Sequence, residues 1–462
     1  MSDGGPGSVP AQIFKAYDVR GLYGEEMDRE TAWLVGRGFV RVLSGLSGKG
    51  AGDLRIGLGR DMRLEAPDMA ASLRDGMVVE GAHVLDAGLV ATEMLYHLVG
   101  SQGLDGGAMV TASHNPKAYT GVKLVREGAL ALSGDAGIQD VRRAIEAGLG
   151  QPNGEGGSVE AVDVYEDFHR HALGFIEPRR VKPLRVVVDG GNGMAGPMVG
   201  PLLERLGLDL VTTYWVPDGE FPDHEPNPLL PENRSFLIRK VLEEQADLGI
   251  AWDGDADRCF FIDDRGEFVD GDFLTALLAR QLLGKEHEAG IVYDVRASRA
   301  VPDTVHELGG TAYVNRVGHA FFKAALREHS AAFGGEVSGH YYFRDFWCAD
   351  SGTIPALLVL ELVSVEDRSL FQLVDDFRRR YFISGEINSE VDDQGAKMAE
   401  LAERYSDGEL SWLDGVSVDY PDWHFNVRPS NTEPLLRLNL ESLVSRQDME
   451  RRRDEVLSII RS

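Results

Sequence analysis

The chain has 462 residues, 43% of them hydrophobic and 26% charged, with a formal net charge of -28. That length exceeds what one hydrophobic core organises, so several domains are expected. The acidity excludes nucleic acid and anionic membrane as partners, because phosphate backbones demand a basic face, but it leaves room for a small phosphorylated ligand in a local basic pocket. No apolar run approaches a membrane span, and the opening MSDGGPGSVP lacks the apolar core of a signal peptide. Two cysteines, Cys259 and Cys348, are too few for a disulfide framework and suit a reducing cytoplasm.

In chain order, residues 1–8 read as a disordered tail, and Gly-rich or polar breaks at 44–53, 150–158 and 284–290 read as loops. Between them short β-branched runs, RIGLG (55–59), AHVLD (82–86), RVVVD (185–189) and GIVYD (290–294), alternate with helical stretches, which predicts helix-covered parallel sheets. Three blocks each run strand, helix, strand, helix, apolar strand and polar loop. They end in GAMVTASHNP (107–116), LGIAWDGDADR (248–258) and AAFGGEVSGH (331–340). Loops at the C-terminal ends of strands build the crevice of an open α/β sheet, so three such loops predict a shared cleft. A different fourth block, from about 372, ends in FNVRPSNTEPLLRLNLE, where Leu436, Leu438 and Leu440 alternate at strand period.

The first loop sets the Ser113 hydroxyl beside His114. A serine that already carries a phosphoryl group needs a cation nearby rather than a base to activate it. At 191–196 the pattern G-x-G-x-x-G follows a strand, but the next strand, LDLVTTYW, ends without a ribose-binding acid, so a tight βα turn is expected rather than a dinucleotide site. In DGDADR, Asp253, Asp255 and Asp257 stand at alternate positions. An extended backbone would aim all three carboxylates to one face, where they repel unless a hard cation such as Mg²⁺ or Ca²⁺ joins them. An EF-hand fails, since its sixth and twelfth positions would be Arg258 and Asp264. A phosphatase D-x-D is weakened by Asp257, where Thr or Val is usual. GEVSGH offers Glu336, Ser338 and His340, a mix suited to sugar hydroxyls. RPSNTEP offers Arg428, Ser430, Asn431 and Thr432, suited to a phosphate.

The four loops, in this order and one per block, resemble the α-D-phosphohexomutase superfamily over essentially the whole chain, in its bacterial phosphomannomutase/phosphoglucomutase form. The resemblance implies three similar mixed α/β domains (9–155, 156–258, 259–371) and a fourth α+β domain (372–462) around a central cleft. It implies a phosphoserine at Ser113, Mg²⁺ held by that phosphate with Asp253, Asp255 and Asp257, and interconversion of mannose 6-phosphate and mannose 1-phosphate through a 1,6-bisphosphate that also serves as activator. Glucose phosphates are the alternative substrates, and a metal-dependent sugar phosphatase the reading from another class. It further implies Glu336, Ser338 and His340 on the sugar, and Arg428, Ser430, Asn431 and Thr432 on the remote phosphate. Tyr17, Arg20, Lys123, Arg258, Arg296 and His319 would lie near the substrate, with Lys123, Arg20 and His319 as candidates for the acid/base. A cytoplasmic monomer or homodimer acting on hexose phosphates is expected.

Overall fold

The computed structural model describes residues 9–133, 137–152, 156–430 and 435–462; the tail expected at 1–8 lies outside them. The chain divides into two compact units. One runs to Phe268 and resumes over His340–Asp367; the other takes Val269–Gly339 and Arg368–Ser462. No described helix is long and apolar enough to cross a membrane.

Two sheets lie wholly within the first unit. In the N-terminal one, Arg55–Arg60 lies parallel between His83–Leu89 and Gly106–Val110, and Tyr119–Arg126 and Val19–Leu22 continue it antiparallel. Its inner strands are buried on both faces, as their nearly continuous apolar runs require. On one side the helices Arg29–Ser47 and Ala66–Val79 touch backbone to backbone. A Cβ at Gly36 would strike the Leu73 carbonyl, and one at Gly76 the Trp33 carbonyl. The second sheet is parallel through Asp209–Thr213, Arg185–Asp189 and Leu248–Trp252, then closes with Cys259–Asp263 antiparallel to its neighbour. The aspartate triplet is therefore the connection of a fully buried hairpin. Against Cys259–Asp263 packs the helix Thr353–Glu366, buried on every side from Thr353 to Ser364.

In the second unit Gly290–Asp294 lies parallel between Thr311–Asn315 and Phe333–Gly335. A separate antiparallel sheet centres on Trp423–Pro429 and Leu435–Ser442. Leu436, Leu438 and Leu440 point inward onto Met449 and Val456 of the helix Arg446–Ile460, as their period of two predicts.

Loop boundaries moved. The helix Arg29–Ser47 runs into the break expected at 44–53 and stops only where Gly48 turns left-handed (φ 72°), and the helix Gly271–Lys285 runs into the break expected at 284–290. The run 191–196 is a βα turn leading into the helix Ala195–Arg205, as expected.

Candidate active site

The strand Gly106–Val110 delivers Thr111–Pro116 at its C-terminal end. Ser113 sits in the left-handed region at φ 50°, a conformation costing a non-glycine residue roughly 1 kcal/mol. Two groups hold it there. The Thr111 hydroxyl accepts from Ser113 N at 2.9 Å, and the buried Arg63 guanidinium donates to three carbonyls of the loop and to that of Tyr119, which opens the next strand. These are Ser113 at 2.9 Å, Asn115 at 2.6 Å, Pro116 at 3.1 Å and Tyr119 at 3.0 Å. The Asp61 carboxylate lies 3.5 Å from the Arg63 Nε. Arg20, on the strand Val19–Leu22, reaches the same loop at Asn115 Oδ1 (2.5 Å) and pairs with Asp18; Tyr17 lies in the turn just before that strand. Burial, then the Arg258 and Arg20 charges, pull the His114 imidazole well below its ordinary pKa, so it stays neutral beside Ser113.

The triplet does not converge by strand pleat, as an extended reading expects. Ala256 turns left-handed (φ 60°) and its N–H donates to Asp253 O at 3.0 Å. A tight turn thus gathers one oxygen from each of Asp253, Asp255 and Asp257 within 4.8 Å. The surrounding charge is partly balanced. Arg258 donates its Nε to Asp253 Oδ2 at 2.9 Å, and Lys123, on the strand Tyr119–Arg126, reaches Asp255 Oδ2 at 2.6 Å and Asp257 Oδ2 at 2.5 Å. Burial alone would lower the Lys123 pKa; the two carboxylates outweigh it and hold the ammonium firmly charged. Burial and the neighbouring carboxylates raise Asp253 to about 6 against the pull of Arg258. Asp255 Oδ1 and Asp257 Oδ1 are buried and accept no hydrogen bond among the described residues. Two orphaned, hard oxygen acceptors in a three-carboxylate cluster fit a divalent cation. The Ser113 hydroxyl donates to Asp253 Oδ2 at 3.0 Å, so serine and acids form one cluster. His340 Nε2 lies 3.9 Å from Asp257 Oδ1.

The other expected residues belong to the second unit. Glu336 accepts from Gly318 N at 2.6 Å and from the Ser338 hydroxyl at 3.1 Å, so the segment 336–338 and the turn before His319 are tied together. Arg296 forks onto Asp294 at 3.0 and 2.8 Å, and Asp294 also accepts from Val337 N at 3.0 Å. Arg428 closes the strand Trp423–Pro429 and contacts Glu386 at 3.1 Å; Ser430 N donates to Leu435 O at 2.8 Å. Asn431 and Thr432 lie outside the described residues.

Four successive stretches match the four domains of one family. Residues 11–149, 164–266 and 270–381 match phosphoglucomutase/phosphomannomutase alpha/beta/alpha domains I, II and III, and residues 386–459 match its C-terminal domain. The chain belongs to the phosphoglucomutase/phosphomannomutase family. It is 41% identical to a phosphomannomutase of Salmonella montevideo over 458 residues, 97% of this chain and 99% of the relative. It is 42% identical to a protein named phosphohexose mutases of Xanthomonas campestris pv. campestris, over 98% of this chain and all of the relative. A crystal structure of a phosphoglucomutase/phosphomannomutase family protein from Burkholderia thailandensis superposes with a TM-score of 0.88 at 33% identity, covering 98% of this chain and 97% of that one.

Within this member of the family, several residues that position the cluster carry no motif. Arg63 is one. The decoy glycines are another: a Cβ at Gly193 would lie 2.6 Å from the Gly254 carbonyl, and Met194 N donates to that carbonyl at 3.0 Å, so the turn serves as a bed for the aspartate loop. A third is the pair Thr92 and Glu93, which opens the helix Thr92–Ser101. The Thr92 hydroxyl donates to Asp255 Oδ2, while Glu93 accepts from the Ser351 hydroxyl and from Thr353 N and Oγ1, at 3.1 and 2.7 Å.

Burial pushes Glu93 up to about 8, against those hydrogen bonds, from an unfolded value of 4.5. The folded state therefore holds the proton more tightly. This contribution to stability is complete below the unfolded pKa and is lost as pH rises through the folded one. Glu93→Gln mimics the protonated acid at every pH. Its stability relative to the native chain, measured by urea unfolding, is expected to climb between about pH 5 and about pH 8. Parallel curves would mean that Glu93 is ionised in the fold.

Proposed function

We propose that the chain is a phosphomannomutase, interconverting mannose 6-phosphate and mannose 1-phosphate by way of a phosphoserine at Ser113. What carries the reading is the Ser113 hydroxyl placed 3.0 Å from an acid cluster that retains two orphaned carboxylate oxygens. Full-length identity to named phosphomannomutases supports the substrate class. In this reading the segments 9–155, 156–258, 259–371 and 372–462 supply, in turn, the serine loop, the metal loop, the sugar loop and the phosphate loop, and the protein works in the cytoplasm.

Asp253, Asp255 and Asp257 would hold Mg²⁺, which supplies positive charge beside the phosphoryl oxygens. Arg258 and Lys123 add fixed cations on the same side, so a phosphoryl group at Ser113 meets a balanced field rather than a wall of carboxylates. The neutral His114 adds no charge next to the seryl oxygen. In the first transfer a sugar hydroxyl gives up its proton and forms the new P–O bond as the Ser113 Oγ–P bond breaks. The second transfer returns the sugar's other phosphoryl group to Ser113 Oγ, leaving the isomeric monophosphate. The 1,6-bisphosphate formed between the two steps also reactivates any dephosphorylated enzyme. The ion pairs of Lys123 suit a charge-balancing role, leaving Arg20 and His319 as the other proton-handling candidates. Glu336, Ser338 and His340 are assigned to the sugar. Arg428, Ser430, Asn431 and Thr432 are assigned to the substrate's phosphate, and Arg296 and Tyr17 to the substrate's surroundings.

The test is ³¹P NMR of the full chain with mannose 1-phosphate, Mg²⁺ and a trace of glucose 1,6-bisphosphate. Conversion to mannose 6-phosphate with little free phosphate is expected. Accumulating inorganic phosphate would overturn the mutase in favour of a phosphatase, and a faster run with glucose 1-phosphate would move the specificity to glucose.

A further inference from the structure

Glu386 stands where a phosphate would. Its Oε2 accepts from Arg428 Nη2 at 3.1 Å and lies 3.5 Å from Arg296 Nη1, and its Oε1 accepts from Arg437 Nη1 at 3.0 Å. Three guanidiniums thus converge on one carboxylate. Arg296 is already matched by its fork onto Asp294, so among the groups in contact three positive charges face two negative ones. Burial tends to raise the Glu386 pKa, and the three arginines more than reverse that, so the group is an anion in the folded chain.

Among the groups in direct contact, the charge balance favours one anion at a time. With Glu386 in place the set carries one surplus positive charge. If a dianionic phosphoryl group takes its place, the set becomes neutral. If both were present, two anions would crowd one cluster at a net negative charge. Position makes exchange possible. Arg296 and Arg428 are buried, with side chains 6% and 9% exposed, whereas the side chains of Glu386 and Arg437 are 26% and 27% exposed. Glu386 also sits on the short link between the strands Phe382–Ile383 and Ile387–Glu390, next to Gly385 at φ 68°; the link is tied to the neighbouring strand one residue before that glycine, where Ser384 N donates to Leu440 O at 2.8 Å.

We propose that Glu386 is a resident anion: it fills the arginine cluster between substrates, gives way to the phosphoryl group of the incoming sugar phosphate, and competes to expel it again. The inference rests on reading Arg428 and its neighbours as the phosphate loop. Such a competitor weakens the grip on the remote phosphate. That suits a reaction whose bisphosphate must let go and rebind by its other end.

The test is calorimetric titration of the full chain with inorganic phosphate at fixed ionic strength, alongside the KM and kcat for mannose 1-phosphate. Glu386→Gln keeps the shape and removes the charge. It is expected to bind phosphate about tenfold more tightly and to lower KM by a similar factor, while kcat falls because release slows. Glu386→Ala should tighten phosphate binding likewise, which covers a failure of either variant to fold, and Glu386→Asp should return toward native affinity. Unchanged binding in the neutral variants would overturn the proposal. So would weaker binding, which would make Glu386 a brace that holds the arginines from behind. Phosphate binding needs no turnover. Tightened phosphate binding in a chain that lacks mutase activity would therefore sustain the resident anion and sink the proposed function instead.

Discussion

Ser113→Ala is expected to abolish turnover, by on the order of 10⁴-fold or more, while the substrate still binds. The substitution deletes the oxygen that carries the phosphoryl group in the proposed reaction and leaves its surroundings in place. Arg63 grips the loop through backbone carbonyls, and the Thr111 hydroxyl takes a backbone N–H, so neither contact needs the serine side chain. The residues assigned to the substrate's phosphate stay intact. The ³¹P assay should therefore show no interconversion, titration calorimetry should still report binding of mannose 1-phosphate, and the mass increment of one phosphoryl group should be absent from the variant. Turnover within an order of magnitude of the native chain would show that another group carries the phosphate.

Arg63→Met should cost both stability and rate. Methionine keeps the length and apolar bulk of the arginine stem but removes all four donations to backbone carbonyls and strands the Asp61 carboxylate in the core. Breaking one partner of a buried charge pair costs about 3–5 kcal/mol, which urea unfolding would register. Released from its brace, Ser113 should leave the left-handed conformation, and a displacement of about 1 Å at the reacting atom costs roughly 10²-fold in kcat. The double variant Arg63→Met with Asp61→Leu separates the two effects. It should recover much of the stability, since no charge is left unpaired, and none of the rate. Recovery of both would make Arg63 a packing residue only.

Arg63 also marks where reading the sequence stops. The strands ending at Val110, Trp252 and Gly335 were legible because each is a short apolar run closed by a polar loop, and buried sheets impose that pattern. The membership of the acid cluster was legible because carboxylates two residues apart with only glycine and alanine between them have few structural uses. How the cluster converges was not. The left-handed turn at Ala256 depends on the Gly193–Met194 bed and on closure of the buried hairpin, both contacts across long stretches of chain. Arg63 and Glu93 are ordinary charged residues in sequence, and only burial against distant carbonyls and hydroxyls gives them work. The one available hint for Arg63 is its place just past the apolar strand RIGLG, in RDMR, where an open α/β sheet collects its site residues. Glu386, in ISGEIN, offers no hint at all, because its meaning lies in three arginines 90, 42 and 51 positions away.

The first unit is interrupted: its chain leaves after Phe268 and comes back at His340. The returning stretch is no appendage. It brings the helix Thr353–Glu366, buried from Thr353 to Ser364, the hydroxyls that donate to Glu93, and the Gly352 carbonyl that accepts from the Trp252 indole at 3.0 Å, one residue before the aspartate loop. During synthesis, then, both the serine loop and the acid loop emerge from the ribosome long before the wall that supports them. Folding of the first unit must wait until residue 367 is out, with the inserted stretch held in tow. A fragment cut at the obvious border near 268 would contain every acid of the cluster and the serine itself, yet expose the apolar bed made for that missing helix.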